Sequence, residues 1–256
     1  LNYEQAQNEI VKIMELMARK HSLHNVFRDF TTLAACTISN SVDKTQFKER
    51  EERYMRTISK YNKEEANKFA KILALVTTGL SGARYGDFLG ELFMKLEISN
   101  KNSGQFFTPY DISKMMAQLL DVDKTDDVLK LSEPAVGSGG MVIAYAETMQ
   151  SKGLNYQKQL EVICNDIDFD VVRMCYIQLS LLGIDAVVMQ ADTLTMEVGE
   201  YWYTPMHIIN KNEKEQKSKT NKMVESMNKL IKNNEVKQPV KENDGLPGQM
   251  DIFDFV

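Results

Sequence analysis

Three carboxylates hold comparable places along the chain. Glu133, Asp166 and Asp192 each follow a short apolar run, at Val128–Leu131, Leu160–Cys164 and Ala186–Met189. Read as strands, those runs put all three acids at strand carboxyl ends, where doubly wound folds bind ligands. Glu133 also opens the loop Glu133-Pro134-Ala135-Val136-Gly137-Ser138-Gly139-Gly140. Glycines in such a loop let the backbone approach a ligand closely, and the helix that follows presents its N-terminus to the same place. A carboxylate at Asp166 can accept both hydroxyls of a ribose, and one at Asp192 can accept an exocyclic amine. Singly, each acid reads as a loop or cap carboxylate. Together they define one crevice.

The elements that must position these residues are legible from apolar spacing. Met141–Met149 and Val171–Leu182 read as helices between the three strands, which makes a parallel α/β sheet. Met206–Ile209 reads as a fourth strand, with Asn210 at its end. Residues 1–99 read as an all-helical domain. Ile10, Ile13, Met14 and Met17 recur at helical spacing, as do Phe69, Ile72, Leu73 and Val76. The charged stretch Lys44–Lys68 reads as one or two solvated helices. Asp87 is a candidate cap for the helix through Leu89, Leu92 and Phe93. Asn100–Gly104 reads as a polar loop, and a short helix is expected through Met115, Met116 and Leu119. Residues 100–210 form the α/β domain in this reading. Residues 211–248 read as a polar linker with a weak helix at Met223–Ile231, and residues 249–256 as an apolar peptide.

Composition narrows the function classes. The 256 residues are 43% hydrophobic and 26% charged, enough for a packed core. No apolar run approaches the roughly 20 residues of a membrane-spanning helix, and the polar N-terminus is unlike a signal peptide. The expected location is cytoplasmic. Cys36, Cys164 and Cys175 have no CxxC spacing, and His21, His24 and His207 lack acidic or cysteine partners at ligand spacing. Reduced thiols and no metal site are expected. The net charge is −5, although residues 211–248 hold nine lysines against six acids. An acidic body does not suggest unaided binding to DNA by bulk electrostatics.

Four segments in order, Gly104-Gln105-Phe106-Phe107-Thr108-Pro109, Glu133–Gly140, Asn165-Asp166-Ile167-Asp168 and Asp192-Thr193-Leu194, resemble the N6-adenine DNA methyltransferases. The resemblance is closest to the modification subunits of type I restriction–modification systems and covers roughly residues 85–195. It implies a Rossmann-like core that binds S-adenosyl-L-methionine (SAM), with DNA as substrate. By that resemblance Phe107, Thr108 and Pro109 line the methionine part of the cofactor. Glu133, Ala135 and Gly137 border its amino acid end. Asp166 binds the ribose with Ile167 against the adenine face, and Asp192 holds the adenine amine with Thr193 beside it. Acids suit a sulfonium, whereas Glu133 would sit badly against a pyrophosphate.

The chain also departs from that family. The family's polar-Pro-Pro-aromatic motif accepts hydrogen bonds from a flipped-out base and stacks on it. Here the five prolines are never adjacent. The nearest substitute places Asn210 as the catalytic group, with Tyr201, Trp202 and Tyr203 as base or edge contacts. Residues 125–210 are too few for the usual seven-stranded sheet, so a truncated sheet is expected, covered by the helical domain, a partner or specificity subunit, or a second copy. Gln249-Met250-Asp251-Ile252-Phe253 resembles a sliding-clamp-binding peptide, anchored by Gln249, Ile252 and Phe253. Three readings therefore stand: an adenine-N6 methyltransferase, a non-catalytic SAM-binding subunit of a DNA-modifying complex, and a clamp-tethered protein with a vestigial pocket.

Overall fold

The structure, a computed structural model, describes residues 1–96, 107–120, 127–195, 197–216 and 218–219. Five helices come first: α1 (Tyr3–Met17), α2 (Leu23–Val42), α3 (Phe47–Ile58), α4 (Lys63–Leu80) and α5 (Phe88–Lys95). Four of them, α1, α2, α4 and α5, start on a side-chain cap. Asn2 and Gln5 form a reciprocal capping box on α1, and Asn62 and Glu65 form another on α4. Asp87 caps α5, accepting from the Gly90 amide at 3.0 Å. After α6 (Tyr110–Leu119) the chain runs β1 (Leu129–Glu133), α7 (Gly140–Ser151), α8 (Tyr156–Gln159), β2 (Leu160–Asp166), α9 (Phe169–Leu182), β3 (Asp185–Asp192) and β4 (Glu197–Tyr203).

The sheet order is β1-β2-β3-β4, with β1, β2 and β3 parallel and β4 antiparallel to β3. The two crossovers run in the same direction, and the right-handed rule for parallel strands then puts α7 and α9 on one face. The alternation along β2 agrees: Leu160, Val162 and Cys164 are buried on that face, while Ile163 on the other is 55% exposed. All three cysteines are buried and free. The architecture is a Rossmann-like α/β core with a four-stranded sheet among the described residues, preceded by helices. No described strand pairs with the outer side of β1.

Leu1–Asn212 is one compact unit and Glu213–Val256 a second. In the first, a single hydrophobic core runs from Ile10 and Phe27 through Leu89 and Tyr176 to Val188 and Trp202. The N-terminal helices and the sheet thus share their interior. Among the described residues no helix is long and apolar enough to cross a membrane. The expected loop Asn100–Gly104, the helix Met223–Ile231 and the clamp peptide residues Gln249, Ile252 and Phe253 lie outside the described residues.

The fourth strand differs from expectation. Met206–Ile209 is helical, part of a helix over residues 205–216, and the strand is Glu197–Tyr203 instead. Thr204 starts that helix. Its carbonyl accepts from the Ile208 amide at 3.2 Å and its hydroxyl from the His207 amide at 3.3 Å, with Pro205 at the first helical position. The four residues between Asp192 and Glu197 cannot make a parallel crossover, so β4 returns as a hairpin. The charged stretch Lys44–Lys68 forms α3 and the start of α4 and is mostly exposed, as expected, but α3 buries one face at Arg50 and Thr57. Arg50 of α3 is 2% exposed, pairs with Asp43 at 3.0 Å and donates to the Tyr201 carbonyl at 2.7 Å. It lies 4.2 Å from the ring centre of Trp202. Arg53 reaches Glu200 at 2.7 Å. These contacts lay α3 along β4.

Candidate functional site

β1 and β2 end side by side, with Glu133 in register with Cys164. The loop that leaves β1 must turn at once into α7. Gly137 (φ 55°) and Gly139 (φ 102°) take left-handed backbone, which an L side chain adopts only with strain. The loop is tied to the end of β2 twice. The Val136 amide donates to the Asn165 carbonyl at 2.9 Å, and the Gly137 amide to Asp166 Oδ2 at 3.0 Å. Asp166 Oδ1 accepts from the Asp168 amide at 3.1 Å, and Asp168 caps α9 through the Asp170 and Val171 amides.

Beneath the loop is a buried junction. Ser138 donates to Asp87 Oδ2, and Gln178 of α9 donates to Asp87 Oδ1 at 2.8 Å and to the Ser138 carbonyl at 2.7 Å. Gln178 Oε1 accepts from the Leu89 amide at 3.0 Å. The N-terminus of α5, the glycine loop and α9 are therefore joined by one hydrogen-bonded group. Burial raises the Asp87 carboxyl above the usual carboxylate range, and its neutral donors offset that only in part. Burial likewise raises the Cys175 thiol, which packs below Gly139. A Cβ on Gly139 would come within 3.3 Å of Cys175 Sγ, at a φ that already disfavours it. Gly139→Ala is expected to lower stability by about 1–3 kcal/mol, read by thermal unfolding. Gly153→Ala has open space around its Cβ and tests the backbone effect alone.

Above the loop is a cavity of about 350 Å³, at the small end of ligand-binding sites. Asp87, Asp166 and Asp168 line it and, among the described residues, no Lys or Arg does. Of the expected cofactor residues, Phe107, Thr108, Ala135, Gly137, Asp166 and Ile167 line this cavity. Phe107 packs edge-on against Phe93, and its ring lies over Gly137. Pro109, Glu133, Asp192 and Thr193, expected at the same site, do not line it. Pro109 precedes α6. Glu133 accepts from the Ala135 amide at 3.1 Å. Asp192 closes its own turn on the Leu194 amide at 2.8 Å. Thr193 donates to the Pro134 carbonyl at 2.7 Å and accepts from Asn165 at 2.8 Å, tying the end of β3 to the glycine loop.

The base-side candidates are elsewhere. Asn210 donates to Asp185 Oδ2 at 2.8 Å, beside a 2.8 Å contact of His207 with Asp185 Oδ1. Asp185 is the first residue of β3, so Asn210 sits at the opposite end of the sheet from the cavity. Tyr201, Trp202 and Tyr203 pair with Met189, Val188 and Val187, in the middle and early part of β3. Trp202 is buried under Arg50, and Tyr203 stacks on His207. These residues fasten β4 and do not reach the cavity. Sequence reasoning missed Asp87, Ser113 and Ser138 as cavity residues. For Asp87 the signal was its cap position, but a cap does not disclose what packs on its other side.

A donor set of carboxylates, glycine backbone and a half-buried aromatic fits a cationic ligand with a ribose. The buried Ser113 hydroxyl, which makes no hydrogen bond among the described residues, leaves an acceptor and donor for such a ligand to satisfy. The family pattern of the N-6 DNA methylases matches residues 84–245, more than half of the chain. The methylase subunit of the type I restriction enzyme MjaIX from Methanocaldococcus jannaschii is 28% identical over 104 residues, 41% of this chain and 17% of that protein. The corresponding MpnII subunit from Mycoplasma pneumoniae is 27% identical over 113 residues, 43% of this chain and 20% of that protein. The match therefore spans no more than a fifth of these relatives. A solved type I restriction-modification methyltransferase subunit from Streptococcus thermophilus aligns with a TM-score of 0.39 at 13% identity, over 75% of this chain and 58% of that one. With its match running from before Asp87 to beyond Thr193, the chain belongs to the N-6 DNA methylase family.

Proposed function

We propose that the chain binds SAM in the cavity at the carboxyl ends of β1 and β2, and serves adenine-N6 methylation of DNA within a type I restriction–modification complex. The observation that carries this is the position of Asp166. It ends β2, lines the cavity and is held by the glycine loop and the start of α9. When bound, SAM supplies a methyl group activated on a sulfonium. The protein's own part is to orient it. Asp166 receives the ribose, Ile167 covers the adenine, and Phe107 and Thr108 border the methionine part.

The placement of Asn210 favours the second reading, a SAM-binding subunit whose described residues do not themselves receive the target base. The two are separated by transfer of labelled methyl from SAM to duplex DNA. The chain alone is expected to bind S-adenosylhomocysteine and to transfer nothing. Asn210→Ala is expected to leave the affinity for S-adenosylhomocysteine within about twofold of wild type, since the residue stands at the far end of the sheet. Transfer by the chain alone, lost in Asn210→Ala, would show that Asn210 serves the chemistry.

A further inference from the structure

Ser113 and Asp87 reach the cavity from two different helix starts. Ser113 lies in the first turn of α6 and Asp87 caps α5. Ser113 is 1% exposed and Asp87 4% exposed, and both line the cavity. Both oxygens lie over Gly140, the first residue of α7. A Cβ there would touch Asp87 Oδ2 at 3.5 Å and Ser113 Oγ at 3.6 Å. The space that Gly140 leaves open is therefore bounded by a carboxylate and a hydroxyl.

The partners of these two groups are incomplete in complementary ways. The Asp87 carboxylate is held by Ser138, Gln178 and the Gly90 amide, all neutral, with no cation beside it among the described residues. The Ser113 hydroxyl makes no hydrogen bond among the described residues, although it is buried. A buried carboxylate without a counter-ion and a buried hydroxyl without a partner are both costly. A group that carries positive charge and several N–H donors relieves both at once. An alkyl ammonium has one charge and three donors, and is small enough for the space above a glycine.

We infer that Asp87 and Ser113 form a receptor for the α-ammonium of the ligand's amino acid end. This rests on the SAM reading of the cavity and adds to it the residues that recognise the charged end. A hydrophobic group in that position would leave the Ser113 hydroxyl without a partner, and any neutral group would leave the Asp87 carboxylate without a counter-charge. The pair thus makes the site selective for an amino-acid-bearing adenosyl compound over a plain adenosyl thioether. Asp87 would discriminate by charge, and Ser113 by a single hydrogen bond.

Titration calorimetry with two probes tests this on the full chain. S-adenosylhomocysteine carries the ammonium, and 5′-methylthioadenosine lacks the whole amino acid end. Wild type is expected to bind the first more tightly. Asp87→Asn keeps the acceptor oxygen that the Gly90 amide and Gln178 use and turns an NH2 donor toward the Ser138 hydroxyl, which can accept from it, but removes the charge. It is expected to weaken S-adenosylhomocysteine about tenfold or more and to leave methylthioadenosine unchanged. Ser113→Ala removes a hydroxyl that makes no hydrogen bond among the described residues, so folding is expected to be preserved. It is expected to weaken S-adenosylhomocysteine about threefold or more, again without effect on methylthioadenosine. Equal weakening of both probes in Asp87→Asn, with Ser113→Ala like wild type, would assign these residues to support of the glycine loop and overturn the receptor. If wild type binds neither probe, the cofactor reading itself fails.

Discussion

Asp166→Ala abolishes measurable binding of S-adenosylhomocysteine: the dissociation constant rises by at least about 100-fold. The expectation follows from the residue's geometry. Each carboxylate oxygen has two acceptor directions, and each already uses one, Oδ2 on the Gly137 amide and Oδ1 on the Asp168 amide. One direction on each oxygen is left. Those two are what a pair of vicinal ribose hydroxyls requires. Hydrogen bonds to a charged acceptor contribute about 1.5–3 kcal/mol each, so losing two costs about 3–6 kcal/mol, beyond a hundredfold in affinity. The same substitution also frees the glycine loop from β2, which adds to the loss. Asp166→Asn keeps one acceptor oxygen without charge and falls between the two. Calorimetry gives the affinities, and far-ultraviolet circular dichroism checks that the fold persists. Binding by Asp166→Ala within threefold of wild type would show that the ribose is not held at this strand end.

The two ends of this site differ in how much the sequence discloses. Asp166 was legible because strand, acid and next helix are contiguous in the chain, and strand ends are where such folds bind ligands. The three parallel strands and their helices were legible for the same reason, since period and length separate β2 from α9. Asp87 and Ser113 were not. They come from helices outside the glycine loop's own strand–loop–helix unit, and their approach to it depends on how α5 packs against α9 and α6 against α7. No local pattern encodes that contact. Asn210 shows the reverse error. Met206–Ile209 is a short apolar run, which fits strand and helix alike. The pair Thr204-Pro205 was a helix-start signal, and the short Asp192–Glu197 connection already forced a hairpin. The strand Glu197–Tyr203 was obscured by two glutamates and a glycine, which are poor strand formers. It is held by tertiary contacts with α3 that its own sequence does not announce.

Those contacts set the second large effect. Trp202→Ala is expected to lower the stability of the unit Leu1–Asn212 by about 3–5 kcal/mol, the range for deleting a buried Trp. Trp202 is 1% exposed, with Tyr176 of α9 at 5.1 Å between ring centres and the Arg50 guanidinium at 4.2 Å on its ring. Its indole N–H is satisfied by Glu200 at 3.0 Å. Removing the ring opens a void in the shared core and takes from Arg50 a face to stack on. Glu200 loses a donor but keeps Arg53. For a unit of this size about 1 kcal/mol corresponds to roughly 2–4 °C, so the midpoint of thermal unfolding falls by roughly 6–20 °C. Trp202→Phe keeps a ring under Arg50 and loses less than half as much. Neither variant is expected to change the affinity for S-adenosylhomocysteine while folded, because Trp202 pairs with Val188 and stands away from the cavity. The alternative assignment, a ring that stacks on a target base, requires the opposite result: weakened DNA binding with unchanged stability. Burial on this scale leaves no face of the indole open for such a base, and a drop of less than about 1 kcal/mol would contradict the packing on which that argument rests.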